Sequence, residues 1–180
     1  MKRQKIVMND SEMSRTLERL EFEILERHGE CDALGLVGIQ RRGVELAERL
    51  RRLLEKRLNC ELPLGKLDIN LYRDDWTTLA HQPKINQTDI PFAIDGRRLI
   101  LVDDVLYSGR TVRAALEAIL DFGRPSSVEL LVLVDRGHRE LPIQADYVGK
   151  KLSTAREERV DVSVKELDGE DSVRVAGESA

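Results

Sequence analysis

The chain has 180 residues, of which 41% are hydrophobic and 34% are charged, and its formal net charge is −4 at pH 7. This length and composition predict one globular domain over residues 1–180 with a sizeable core. The negative charge argues against indiscriminate nucleic-acid binding, so any contact with nucleic acid must come from a local basic patch.

The cysteines and the N-terminal residues indicate a compartment. Cys31 and Cys60 are too few for a disulfide framework, which favours a reduced, cytoplasmic environment. The first ten residues lack an apolar stretch long enough for a signal peptide, and no apolar run approaches the length of a membrane span. We therefore expect no membrane partner.

The first third of the chain predicts a helix followed by a strand and a second helix. Polar residues from Asn9 onward are typical of an N-cap, and the apolar spacing predicts a helix to about His28. The apolar run 33–39 indicates a buried strand, residues 40–43 a loop, and residues 44–58 an amphipathic helix.

The middle of the chain predicts a strand, a long loop and a further strand and helix. Residues 66–72 alternate between apolar and polar, as in a half-exposed strand, whereas residues 73–91 have little periodicity and two prolines. A loop of that length indicates a flexible lid, at about residues 72–91. Residues 99–102 predict a buried strand, and residues 112–120 predict a helix.

The last third of the chain predicts one more buried strand, at 128–134, and a terminal hairpin whose two strands include 160–164 and 173–175. Alternating strands and helices predict an α/β fold: a doubly wound, mainly parallel sheet flanked by helices, with the C-terminal β-hairpin appended. Ligands of such folds bind beyond the carboxyl ends of the strands. Charged loops follow four of the predicted strands, at 40–43, 73–75, 103–111 and 135–139.

The strand at 99–102 ends on the adjacent carboxylates Asp103 and Asp104 and turns through Ser108–Thr111 into a helix. Backbone N–H groups at a helix start favour phosphate, and this turn adds two hydroxyls and an arginine. Paired carboxylates accept hydrogen bonds from adjacent hydroxyls and also bind Mg²⁺. A ribose 5-phosphate has both kinds of group, although a lone acid pair at such a junction is more often a solvated strand end or a helix cap.

Residues 99–111 as a block resemble the signature of the type I phosphoribosyltransferases, in which the acid pair holds the ribose hydroxyls of phosphoribosyl pyrophosphate (PRPP) and the following loop holds its 5-phosphate. Four further blocks resemble the bacterial pyrimidine operon attenuation regulators: Gly38–Gly43, Leu67–Asp75, Leu133–Ile143 and Ala145–Lys150. At two positions this chain departs from the family, with Arg41 where Thr is more usual and Ser108 where Thr is common.

This resemblance implies a bifunctional protein. Its members bind the pyrimidine operon mRNA leader in response to uridine nucleotides such as UMP and UTP, which controls transcription attenuation. They also form UMP from uracil and PRPP. Mg²⁺ is the implied cofactor, bound through the substrate pyrophosphate, and its direct protein ligands are left open.

The resemblance also implies the roles of individual residues. Asp103, Asp104 and Arg42 are the implied catalytic residues, and Asp104 is expected to lie near enough to the base to help move a proton. The implied substrate contacts are the pyrophosphate loop, the start of the lid, the ribose and phosphate loop and the start of the uracil loop. Their members are Arg41, Arg42, Arg73, Asp103, Asp104, Val105, Leu106, Tyr107, Ser108, Gly109, Arg110, Thr111, Asp135 and Arg136. Val160, in the predicted hairpin, is a further implied substrate contact.

RNA binding is implied through a basic concave face built across a homodimer, which in turn can assemble into a higher oligomer. The candidate phosphate contacts are Arg15, Arg19, Arg139, Lys150, Lys151 and Arg156. Each of these alone is an ordinary surface charge. Three alternatives stay open: a uracil salvage enzyme without RNA binding, a regulator without catalysis, and a purine transferase.

Overall fold

The structure is a computed structural model that describes residues 3–29, 32–73 and 87–177. Five strands form a parallel sheet in the order β3-β2-β4-β5-β6, and three form an antiparallel sheet in the order β1-β8-β7. In chain order the elements are β1 (Arg3–Asn9), α1 (Asp10–His28), β2 (Leu34–Ile39), α2 (Arg42–Leu58), β3 (Leu64–Leu67), β4 (Arg98–Leu106), α3 (Arg110–Leu120), β5 (Ser127–Asp135), β6 (Tyr147–Lys151), β7 (Arg159–Ser163), α4 (Lys165–Asp168) and β8 (Ser172–Gly177).

The parallel sheet is covered on both faces, because its strands are apolar at every inner position and successive side chains point in opposite directions. Leu36 and Ile100 pack with α1, α2 and the antiparallel sheet. Val37 and Leu101 pack with α3 on the opposite face. This arrangement confirms the predicted fold class.

The start of α1 follows the predicted cap. The Asn9 side chain accepts from the Glu12 N–H at 2.9 Å while the Glu12 side chain accepts from the Asn9 N–H at 2.8 Å. The two reciprocal bonds form a capping box and satisfy donors that a helix start leaves free. The apolar stripe of α1, which includes Met13 and Leu20, is fully buried against the sheet.

The antiparallel sheet confirms the C-terminal hairpin and adds a strand that the sequence did not indicate. β7 and β8 pair antiparallel, with Val162 opposite Val173. β1, for which no strand was predicted, pairs antiparallel with β8. We name this three-stranded sheet the hood because it stands beside the carboxyl ends of β2 and β4.

Two of the predicted strands were wrong in their bounds, and β6 was not predicted. The alternating segment 66–72 is strand only to Leu67 and then forms a 3-10 turn over Asn70–Tyr72. β4 continues to Leu106, so the acid pair lies in the last part of the strand rather than in the loop after it. Most of the predicted lid lies outside the described residues.

Cys60 is disulfide-bonded. Among the described helices, none is both long and apolar enough to cross a membrane.

Candidate active site

A cavity of about 650 Å³ opens at the carboxyl edge of the parallel sheet. Its walls come from the segments that follow β2, β3 and β4, which is where a doubly wound sheet places its ligands. Seven of the residues predicted as substrate contacts line it: Arg41, Arg42, Arg73, Asp103, Asp104, Val105 and Thr111. The fold therefore brings together the pyrophosphate loop, the start of the lid and the acid pair.

The two acidic residues at the end of β4 differ in burial. Asp103 is 6% exposed, and its Oδ1 accepts the Asp104 N–H at 2.9 Å. Asp104 is half-buried, and its Oδ1 accepts the Val105 N–H at 2.8 Å. Burial, together with the neighbouring charge of Asp104, raises the pKa of the Asp103 carboxyl well above its usual range.

Glycine lets the pyrophosphate loop approach the acid pair closely. A Cβ on Gly43, in the first turn of α2, would overlap the carbonyl oxygen of Val102, the residue before Asp103. A Cβ on Gly38 would come 2.5 Å from the Cα of Val44. The loop that carries Arg41 is thus held directly against β4.

The two arginines of that loop have different surroundings. Arg42 donates to Asp168 of α4 through Nε at 3.1 Å and Nη2 at 2.9 Å. The bidentate hydrogen bond raises the pKa of Arg42 and lowers that of the Asp168 carboxyl. Arg41 is exposed at the cavity and has no hydrogen bond or ion pair through its side chain in the part of the chain described.

The predicted phosphate loop leads into α3. Gly109 has φ +91°, a conformation that other residues rarely adopt, and it stands immediately before the helix. The Ser108 hydroxyl accepts the Arg110 N–H at 3.3 Å, while Leu106 is buried in the core and Arg110 pairs with Glu140. The loop has the backbone of an anion site, although of this segment only Val105 and Thr111 line the cavity described above.

The segment 135–143 supports the phosphate loop from the side. Arg139 donates to the Asp135 carboxylate, to Tyr107 O at 2.9 Å and to Ile143 O at 2.9 Å. Ser108 O accepts the N–H groups of the next two residues of the segment, 140 and 141. The first residues of the predicted uracil loop therefore have structural partners of their own.

Arg136 is buried and packs over the ring of Tyr107, 4.2 Å from its centroid. Its Nη2 donates to Ala155 O at 3.1 Å and to Arg156 O at 3.3 Å. Burial would raise the pKa of the Asp135 carboxyl, but the hydrogen bonds from Arg139 and from the Gly137 N–H, together with nearby positive charges, outweigh it and lower that pKa. The side chains of Asp135 and Arg136 thus make contacts within the protein, which leaves backbone groups to meet a base there.

A second cavity of about 720 Å³ lies on the hood side and shares Arg42, Asp104 and Val105 with the first. The predicted contact Val160 lines it, next to Asp161 of the same strand. The acid pair thus lies between two adjoining spaces, one beside the arginine loop and one beside the hood.

Sequence reasoning missed three polar residues that line the first cavity: Gln40, Asp68 and Asn70. Asp68 is 7% exposed, and its Oδ2 is buried without a hydrogen-bond partner among the described residues. The only signal was its place just after a strand. Carboxylate oxygens are donors that Mg²⁺ prefers, so an orphaned one in this cavity fits the implied metal. No cluster of three or more His, Cys, Asp or Glu side chains suited to a metal occurs in the described ranges.

The predicted RNA contacts do not form one group. Arg19 donates to Val148 O at 3.2 Å and also to Gly149 O, and Lys150 donates to Val7 O at 2.6 Å, so these two lie along the seam between α1 and β6. Lys151 lies opposite Asp135 of the neighbouring strand β5, near Arg139. Arg156 lies 3.5 Å from Glu140, beyond the phosphate loop, and Arg15 is exposed on α1.

The fold and this arrangement of acids, arginines and phosphate loop define a phosphoribosyltransferase. The family described as the phosphoribosyl transferase domain matches residues 7–167. A solved hypoxanthine phosphoribosyl transferase of Trypanosoma cruzi superposes with a TM-score of 0.70 over 94% of this chain and 89% of its own, at 19% identity. A hypoxanthine phosphoribosyltransferase of Staphylococcus aureus superposes at 0.66 over 94% and 90%, at 21% identity. Likeness at these identities shows the fold.

Closer relatives narrow the family. The bifunctional protein PyrR of Elusimicrobium minutum is 54% identical over 94% of this chain and 95% of its own length. The bifunctional protein PyrR of Thermus aquaticus is 52% identical over 94% and 93%. The chain belongs to the phosphoribosyltransferases and, among them, to the family of the bifunctional PyrR proteins.

Proposed function

We propose that this protein transfers the phosphoribosyl group of PRPP to uracil, giving UMP and pyrophosphate, and binds the pyrimidine operon mRNA leader in a uridine-nucleotide-dependent way. One observation carries the catalytic half: Asp103 and Asp104 lie in the last part of a buried strand, at a cavity that Arg41 and Arg42 also line. That is the combination of hydroxyl acceptors and anion binders that a ribose diphosphate ester needs.

The residues act mainly by position and charge. Transfer proceeds through a cation-like ribose carbon while pyrophosphate departs, so both reactants must be held and the leaving charge neutralised. Asp103 and Asp104 hold the ribose hydroxyls, and the start of α3 holds the 5-phosphate. Arg41, whose side chain makes no hydrogen bond or ion pair within the described part of the chain, contacts the leaving pyrophosphate, and Arg42 is held beside it by Asp168.

Mg²⁺ bound to the pyrophosphate supplies further neutralisation of the leaving group. The carboxylates that line the cavity, those of Asp68, Asp103 and Asp104, are the protein oxygens available to hold it. Arg73, at the start of the predicted lid, helps keep water from the activated ribose, since hydrolysis is the competing reaction.

The base binds on the hood side, where Val160 and Asp104 line one cavity. Asp104 is placed there to help move a proton of the base. Asp135 and Arg136 contribute through the backbone of their loop, since their side chains are engaged within the protein. UMP and UTP occupy the same site when they regulate RNA binding.

The RNA contacts lie on a face completed by a second copy of the chain in a homodimer. Arg15, Arg19 and Lys150 are the core of that face, because Arg19 of α1 contacts β6, Lys150 lies in β6, and Arg15 is exposed on α1 four residues before Arg19. We place the protein in the cytoplasm, where the mRNA and the nucleotides are.

One pair of measurements tests both activities. UMP formation is measured with uracil, hypoxanthine and guanine in competition, and filter binding of a pyrimidine leader transcript is measured with and without UMP. Uracil preference together with UMP-dependent RNA binding supports the proposal. Turnover with absent or nucleotide-insensitive RNA binding would instead indicate the second candidate, a salvage enzyme, and RNA binding without turnover would indicate a regulator alone.

A further inference from the structure

Asp68 lies just after β3 and is fixed by short-range contacts. Its backbone N–H donates to Thr88 Oγ1 at 3.0 Å, and its Oδ1 accepts the Asn70 N–H at 2.9 Å. These contacts hold the side chain in a turn of the kind that aspartate commonly forms with the backbone two residues on.

The other carboxylate oxygen of Asp68 has no partner. Oδ2 is buried and unbonded within the described part of the chain, although Asp68 lines the cavity that contains Arg41 and Asp103. Buried polar atoms are nearly always hydrogen-bonded, so an exception beside a ligand cavity points to a group that arrives with the ligand.

The strand order fixes which part of the ligand Asp68 faces. β2 lies between β3 and β4, so Asp68 stands two strand spacings, about 10 Å, from the acid pair. The pyrophosphate loop lies between them, and its Gln40 N–H donates to Leu67 O at 2.9 Å. Asp68 is therefore on the pyrophosphate side of the loop, away from the ribose.

A carboxylate beside a pyrophosphate repels it unless a cation lies between the two. The candidates are a divalent metal ion and the guanidinium of Arg41. Mg²⁺ is typically bound through one or two carboxylates together with substrate phosphates. We propose that Asp68 holds a Mg²⁺ ion, directly or through its bound water, at the pyrophosphate end of the site; the inference rests on the proposed function and deepens it.

The test measures metal binding without turnover. Mn²⁺ replaces Mg²⁺, and its electron paramagnetic resonance signal is titrated with the protein in the presence of inorganic pyrophosphate. Asp68→Asn keeps the acceptor for Asn70 and removes the charge, and we expect about tenfold weaker binding of Mn²⁺ pyrophosphate. Asp89→Asn is the matched control, because Asp89 is exposed and its backbone pairs with Lys66, two residues from Asp68; binding should not change.

Pyrophosphate binding without metal, measured by calorimetry with a chelator present, should be unchanged or tighter in Asp68→Asn. Equal weakening with and without metal would assign Asp68 to orienting an arginine and overturn the proposal. Unchanged Mn²⁺ pyrophosphate binding would also overturn it. If Asp68→Asn does not fold, Asp68→Ser keeps an acceptor for the turn and is tested in the same way.

The outcome is separable from that of the proposed function. Failure of the unsubstituted protein to form UMP at saturating Mg²⁺ counts against the transferase, whatever Asp68 does. Turnover by the unsubstituted protein with unchanged metal binding in Asp68→Asn leaves the transferase intact and removes only the role of Asp68.

Discussion

Acidic residues with different surroundings lie at opposite ends of the same sheet. At the amino end of β5, Glu129 accepts hydrogen bonds from Tyr147 OH at 2.7 Å and His28 Nε2 at 2.8 Å and pairs with Arg27 at 3.2 Å. At the carboxyl ends, the Oδ1 atoms of Asp68, Asp103 and Asp104 accept backbone N–H groups from residues one or two positions further along the chain.

This difference in hydrogen-bond partners separates an acid that stabilises the fold from acids that are available to bind a ligand. Burial would raise the pKa of Glu129, but the hydrogen bonds from Tyr147 and His28 outweigh that effect and lower it. Burial and the neighbouring charge of Asp104 raise the pKa of Asp103. A carboxylate with protein partners favours folding, and one without them costs stability until a ligand supplies the partners.

The largest expected effect is on turnover at the carboxyl end. Replacing both Asp103 and Asp104 by Asn should lower kcat/KM for UMP formation by about 10³-fold or more, because the acceptors of the ribose hydroxyls lose their charge. Glu129→Gln, assayed in parallel, should leave kcat/KM unchanged. Comparable losses in the two variants would erase the distinction between the two groups.

The next effect is on stability at the amino end. Glu129→Ala should lower the free energy of unfolding by about 3 kcal/mol at pH 7, since it leaves buried hydroxyl and imidazole groups without their acceptor. Because the folded-state pKa of Glu129 is lowered, this stabilisation is present above about pH 4.5 and disappears as the pH falls through the folded value. Denaturant melts of this variant and of the exposed control Glu26→Ala, across that range, check the sign.

Asp103→Asn should behave in the opposite way. A raised folded-state pKa means that the folded protein binds the proton more tightly, so the carboxylate destabilises the fold as the pH rises above about 4. The variant should be more stable than the unsubstituted protein at pH 8 and equal to it near pH 3. Thermal melts at the two pH values measure this, and equal stability at both would contradict the assignment.

The smallest effect extends the same reasoning to basic residues. Arg15 has no partner among the described side chains, whereas Arg19 is held by Glu23 and by backbone carbonyls. Arg15→Gln should weaken leader RNA binding several-fold and reduce the salt slope by about one. Arg124→Gln, at the amino end of the sheet, serves as the control and should not change either quantity.

The fold could be largely predicted from the sequence because its strands and helices have clear periods. The continuous apolar run before Asp103 and the N-cap at Asn9 were both sufficient signals. β6 was not predicted, since Tyr147–Lys151 is short and mixes apolar with basic residues. β1 was missed for a different reason: its pairing partner, β8, lies at the other end of the chain.

The residues of the candidate site could be predicted where a sequence motif includes them. They could not be predicted where contacts between distant parts of the chain determine what a side chain binds. The acid pair and the arginine loop line the cavity as expected. The carbonyl of Ala155 that Arg136 contacts and the carbonyl of Tyr107 that Arg139 contacts, by contrast, belong to other loops, and no local pattern indicates them. Asp68 was overlooked because a single acid after a strand is an ordinary feature, and only its unbonded oxygen distinguishes it.

The close contact of Gly43 with β4 has a consequence for motion. With no side chain between them, the backbone of α2 and the backbone before Asp103 are in van der Waals contact, so they move as one rigid block. The ion pair between Arg42 and Asp168 links this block to α4, which connects two strands of the hood. Closure around a bound nucleotide must then come from another wall of the cavity.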